Sequence, residues 1–245
     1  AIGSSSLDEL QGRQQAVVID VGGGTTDVAV LARTEVEGAS QLSVIGAESL
    51  PLAGDFGDLL ITTWILRQLA EKKFDGGATA LSVAQDAARR GVTYVDRTRL
   101  GSDAAMFDSV MNSARLAKHE LSRTDSFNVP FDTVVVPNAP AISITQTDLA
   151  EVLRPLTDAI VSTAEQAVRK ANWRTNKWEQ NLAATPDERQ LRRSKDESRN
   201  EALTDVVTLF LVGGMSKAVA LQSSACARFT NAALLTGGNK SLDSQ

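Results

Sequence analysis

The stretch that most constrains this chain is Ala16-Val17-Val18-Ile19-Asp20-Val21-Gly22-Gly23-Gly24-Thr25-Thr26-Asp27-Val28-Ala29-Val30-Leu31. An apolar run ending in an aspartate, three glycines, two threonines, a second aspartate and a second apolar run predict strand, tight turn, strand. Three successive glycines cost backbone entropy, so they belong where the chain needs unusual dihedrals or where something must approach the main chain closely. Consecutive N–H groups in such a turn form an anion-binding concavity, and the hydroxyls of Thr25 and Thr26 add donors. Asp20 and Asp27 flank the loop. They are placed to hold a hydrated Mg²⁺ or to orient a water, because that ion takes carboxylates together with its own waters and phosphate oxygens. A plain hairpin turn accounts for the glycines alone; the full spacing Asp-x-Gly-Gly-Gly-Thr-x-Asp narrows the reading to nucleotide phosphate binding.

A second glycine motif lies near the far end of the chain. Val206-Val207-Thr208-Leu209-Phe210-Leu211-Val212 is a nearly continuous apolar run, the mark of a strand buried on both faces. It leads into Gly213-Gly214-Met215-Ser216-Lys217 and a helical pattern from Ala218. A strand, two glycines and a helix start can hold a nucleotide at the helix N-terminus, where free N–H groups point outward.

Composition removes several function classes. The 245 residues suffice for one large domain or two small ones. A net charge of −5, with no Lys/Arg run interleaved with aromatics, argues against nucleic acid as a partner. The single cysteine, Cys226, excludes an internal disulfide and fits a reducing compartment; the single histidine, His119, argues against zinc. No apolar run approaches a membrane span, and the N-terminus lacks a signal-peptide pattern.

Between the glycine motifs the chain reads as alternating elements. Residues 41–50 form a third strand in meander order. Leu52-Ala53-Gly54-Asp55-Phe56-Gly57-Asp58 leads into an apolar stretch, 59–69, that predicts a mostly buried helix ending near Gly76-Gly77. Helices are expected over 78–90 and 103–123, with a connection over 91–101. Short strands over 126–131, 133–136 and 141–144 are broken by Pro130, Pro137 and Pro140, as suits sheet edges and turns. Thr145, with Asp148 three residues on, is a helix N-cap. Pro155 should end or kink that helix, leaving 156–171 as a second, offset one. Residues 172–205, with Trp173, Trp178 and a mixed-charge run from Pro186 to Glu197, read as a solvated helix or mobile insertion.

Asp20 to Asp27 resembles the second phosphate loop of the actin, sugar kinase and heat-shock chaperone ATPase superfamily, most closely that of the DnaK-type chaperones. The resemblance covers roughly residues 16–221. Gly54, Asp55 and Phe56 match a Gly-Gly-x-Asp-Phe-Asp segment of that family, one residue shorter here. Gly54 either offers an N–H to a phosphate or serves as a loop-to-helix cap. Ala114-Arg115-Leu116-Ala117-Lys118-His119-Glu120-Leu121-Ser122 is similar to the chaperone helix that contacts adenosine. Lys118 falls at the ribose lysine, Ser122 at the adenine serine, His119 at an arginine and Arg115 at a ribose-binding glutamate. Taken without the family, Lys118 and Ser122 are two residues on one face of a solvated helix. Gly213 and Gly214 match the diglycine under the adenosine, and Lys217 the basic residue packed on the base, although lysine lacks the flat guanidinium. Met215 replaces the usual serine.

The resemblance implies an α/β fold of the ribonuclease H-like, actin-like kind: a mixed sheet flanked by helices. Residues 1–54 and 143–245 would be its core and 55–142 an inserted α+β subdomain. It implies ATP/ADP and Mg as cofactors. The phosphates would lie on the N–H groups of Gly22, Gly23, Gly24 and Thr25, with Thr26 and Gly54 adding donors. Lys118, His119, Ser122, Gly213, Gly214 and Lys217 would hold adenosine, Asp20 and Asp27 the metal, and Asp20 and Thr25 would serve catalysis. It implies a cytoplasmic location, an N-terminal ATPase lobe as partner, and a J-domain co-chaperone and nucleotide-exchange factor. Because the family places this strand after a whole lobe, the chain reads as a piece of a longer protein, inactive alone. Arg115, His119 and Met215 at adenosine positions leave open a non-hydrolysing interaction module of the same fold; an actin-like or sugar-kinase relative is a third reading.

Overall fold

The computed structural model describes Leu10 and residues 14–36, 39–183 and 203–236. Its centre is a five-stranded mixed sheet. Strands β1 (Gln15–Val21), β2 (Thr26–Val36) and β3 (Ala39–Leu50) form an antiparallel meander. On the other side of β1, β6 (Val206–Gly213) and then β7 (Ala233–Thr236) pair in parallel, giving the order β3-β2-β1-β6-β7. A small second sheet pairs β4 (Ser126–Asn128) with β5 (Ser143–Thr145).

The alternation along β1 decides which face does what. Val17, Ile19 and Val21 point into the main core, whereas Ala16 and Val18 face the opposite side with Phe210, Leu31 and Leu10. The main core is one apolar cluster that runs from the sheet into the helices α1 (Gly54–Glu71), α2 (Ala78–Arg89), α3 (Ala104–Glu120), α4 (Gln146–Ala183) and α5 (Val219–Arg228). Each fully buried leucine or isoleucine in it, such as Leu59, Ile65 or Ile160, stabilises the fold by about 1.5–3 kcal/mol relative to exposure.

Helix α4 departs from expectation. It runs unbroken through Pro155, where the sequence predicts a break. Leu149, Leu153, Leu156, Ile160, Ala164, Ala167, Val168 and Ala171 are all buried at helical spacing, and that continuous stripe outweighs one missing N–H on an exposed turn. Its N-terminus follows the expected capping box: Asp148 N–H donates to Thr145 Oγ1 at 3.1 Å and Thr145 N–H to Asp148 Oδ2 at 2.9 Å.

Other corrections are local. The β-branched run 133–136 is a turn rather than a strand, because Asp132 captures it: Val134 N–H donates to Asp132 Oδ1 and Val136 N–H to Asp132 O. Helix α1 ends at Glu71, short of Gly76-Gly77, and β7 was not foreseen. The charged run from Pro186 to Glu197 lies outside the described residues. Among the described residues, no helix is long and apolar enough to cross a membrane.

Candidate functional site

The two glycine motifs meet. Strands β1 and β6 lie side by side in parallel register, with Asp20 beside Val212 and Val21 beside Gly213. From β1 the chain order runs one way to β2 and β3 and the other way to β6 and β7, so both glycine corners sit at the carboxyl ends of strands where the order reverses. Open α/β sheets bind ligands at that place. Gly213 has φ +85°, and a Cβ there would lie 2.3 Å from Val21 O and 2.6 Å from Asp20 Oδ1. No side chain fits between the two corners.

The loop itself is shaped by what its carbonyls do. Gly22 N–H donates to Thr25 O at 3.0 Å and closes the turn. Gly22 O accepts from Gly54 N–H at 3.1 Å, and Gly23 O accepts from Asp55 N–H at 2.8 Å. In a planar trans peptide the C=O and N–H point in opposite directions. With those two carbonyls turned toward α1, the N–H groups of Gly23 and Gly24 point away from it, in a stretch where Gly23, Gly24 and Thr25 are exposed. A Cβ on Gly24 would meet nothing within 4 Å, so the space in front of it is open.

Three expected phosphate donors are therefore spent elsewhere. Gly22 N–H closes the turn, and Gly54 N–H caps the loop carbonyls. Thr26 is fully buried and its hydroxyl donates to Leu52 O at 2.8 Å, tying β2 to the entry of α1. Gly23, Gly24 and Thr25 remain.

The carboxylates stand around this opening. Asp20 and Asp27 are direct cross-strand partners, so their side chains share one face, and both are exposed. Like charges so placed repel unless a cation lies between them. Asp27 accepts from Ser49 Oγ at 2.7 Å and Thr25 Oγ1 at 3.4 Å, which orients it. Asp55, on the first turn of α1, has both carboxylate oxygens 3.6 Å from where a Gly23 Cβ would be. The sequence alone assigns Asp55 no role, because its place depends on the Gly22 and Gly23 carbonyls accepting the first N–H groups of α1. Two carboxylates suit Mg²⁺, which completes its shell with waters and ligand oxygens. Among the described residues, no group of three or more His, Cys, Asp or Glu could hold a metal by protein ligands alone.

The residues expected at adenosine are mostly engaged with the protein. Lys118 Nζ donates to Gly54 O at 3.0 Å and lies 2.5 Å from Asp58 Oδ1, off the angle for a hydrogen bond to it. Arg115 Nε donates to the other oxygen of Asp58 at 3.2 Å. Ser122 Oγ donates to His119 O at 2.6 Å, and His119 is exposed beside Glu120. Met215 is buried, its sulfur 3.8 Å from where a Gly57 Cβ would be, whereas Gly214 and Lys217 are exposed. No hydrogen bond among the described residues joins α3 to the 213–217 turn.

A separate surface groove of about 400 Å³ lies between α3 and residues 130–135, lined in part by Ser109, Asn112, Leu116, Phe131 and Asp132. None of the glycine-motif residues line it. No protein-family model matches the chain, and no curated protein matches it.

Proposed function

We propose that this chain is a nucleotide-binding lobe of the heat-shock-chaperone type, with a ribonuclease H-like core, and that it holds the phosphates of ATP or ADP with Mg²⁺ at the paired glycine corners. The observation that supports the reading best is the close packing of Gly213 on the end of β1, which brings the two glycine motifs side by side. The strand order β3-β2-β1-β6-β7, an antiparallel meander continued by parallel strands, supports the fold reading. Gly23 and Gly24 supply N–H donors toward the terminal phosphates, Thr25 adds its backbone and hydroxyl, and Asp20 and Asp27 hold the hydrated cation. The bound cation neutralises phosphate charge; the chain's own part in phosphoryl transfer to water is to orient the reacting groups through Asp20 and the loop. In the family the chain resembles, a second phosphate loop comes from the other lobe, and this reading assigns it there.

The reading of a nucleotide-independent, non-hydrolysing interaction module draws support from one specific arrangement, the engagement of Arg115, Lys118 and Ser122 with the protein. Calorimetric titration of Mg-ADP into the longest natural chain containing these residues separates the two. Wild type binds, and Gly24→Val, which meets open space, weakens binding by at least tenfold without unfolding the protein. Absence of binding in the wild type, or equal affinity in the variant, contradicts the nucleotide reading.

A further inference from the structure

We infer that Asp58 and Lys118 form a positioning pair that fixes the glycine loop, so that Lys118 acts on the phosphate end of a ligand through Gly54 and not on its sugar. The Asp58 side chain is only 5% exposed, and a carboxylate so buried needs cationic partners. Both come from α3, one turn apart: Arg115 and Lys118. Lys118 then turns its directed hydrogen bond onto Gly54 O, on the first residue of α1. The same residue and the next, Gly54 and Asp55, donate their N–H groups to Gly22 O and Gly23 O. Asp58 lies one helical turn further along α1, so a single turn links the ion pair to the two carbonyls that aim the Gly23 and Gly24 N–H groups outward. A Cβ on Gly54 would lie 3.1 Å from Gly22 O and 3.6 Å from Lys118 Nζ. Loop and ammonium flank the same α-carbon from two sides.

The ligand part of this inference rests on the nucleotide reading above; the loop part does not. Amide hydrogen exchange followed by NMR tests the loop part on the chain without ligand. Lys118→Met leaves Asp58 paired with Arg115 through its other oxygen, and the exchange rate of Leu209 reports whether the fold is kept. It should speed exchange at Gly54 and Asp55 by about tenfold while Leu209 in β6 stays unchanged. Lys118→Arg should restore the wild-type rates, and Asp58→Asn should reproduce the Lys118→Met pattern. Unchanged exchange at Gly54 and Asp55, or acceleration spread equally to Leu209, overturns the pair as a positioning device. The ligand part is read by affinity for Mg-ADP and for adenosine. Lys118→Met should weaken Mg-ADP by roughly five- to tenfold, about the worth of one hydrogen bond, and leave adenosine unchanged. Equal weakening of both means a sugar contact and overturns the inference. If the longest natural wild-type chain binds neither ligand, the nucleotide reading ends, while the exchange rates still decide whether the pair shapes the loop.

Discussion

Glycine occupies two physically different roles at the site, and substitutions separate them. At Gly213 the backbone is in the left-handed region and a Cβ would collide with Val21 O. At Gly24 neither condition holds, and the position is open. Gly213→Ala should therefore cost about 2–4 kcal/mol, through strain and a displaced β1–β6 register, whereas Gly24→Ala should cost less than about 0.5 kcal/mol. Urea denaturation of the two variants checks this directly, and a similar midpoint shift in both would remove the distinction. Sequence singled out both motifs because glycine tracts after apolar strands are rare and costly. It did not tell which glycines serve the fold, since that depends on which carbonyl turns where. Thr26 illustrates the same limit: its neighbour Thr25 is exposed, but Thr26 sits at a fully buried register position and spends its hydroxyl on Leu52.

At the scale of elements, periodicity located the helices and strands that carry long apolar stripes and failed where local chemistry or tertiary burial outvoted it. The β1–β2 hairpin, β3, β6, the capping box at Thr145 and the apolar helix over 59–69 were legible, because each has a hydrophobic pattern, most with a turn or cap residue beside it; that this helix begins as early as Gly54 was not. Strand β7 was not: its four residues, Ala233–Thr236, are half exposed and lack alternation strong enough to stand out. The valines at 134–136 carry strand propensity, but the Asp132 side chain offers their backbone a competing turn. Pro155 is the clearest case. The helix around it survives because its buried stripe continues on both sides, yet the missing N–H leaves Glu151 O without its intrahelical donor. Pro155→Ala should then stabilise the protein by about 1–2 kcal/mol, less than the full proline penalty because alanine also frees the unfolded chain. Thermal unfolding checks it, and a lowered Tm would mean that the proline fits a kink the packing requires.

At the scale of the molecule, the sheet sets two corners from distant parts of the sequence side by side at the carboxyl ends of the inner strands β1 and β6, and helix α1 packs against both. Gly54 and Asp55 cap the first loop while Gly57 lies against Met215 of the second turn. This convergence could not be read from sequence, because Gly54-Asp55-Phe56-Gly57-Asp58 has no pattern that says its amides belong to a loop thirty residues earlier. On the proposed reading, a lobe with one phosphate loop lacks the donors that the other lobe would supply. Losing two or three charge-assisted hydrogen bonds, at about 1.5–3 kcal/mol each, weakens binding by several powers of ten. The chain alone should therefore hydrolyse ATP negligibly. Multiple turnovers of ATP that disappear in Asp20→Ala would show a complete active site within these residues.

If the outward N–H groups of Gly23 and Gly24 receive the phosphates, their resonances report it most directly. In an NMR titration of the isotope-labelled chain with Mg-ADP, carried to high ligand concentration so that weak binding is seen, the amides of Gly23, Gly24 and Gly214 should shift progressively and together. Those of Asn112 and Leu116, on the separate groove, should stay still. Shifts confined to that groove, or a loop whose amides do not move at any ligand concentration, would contradict it.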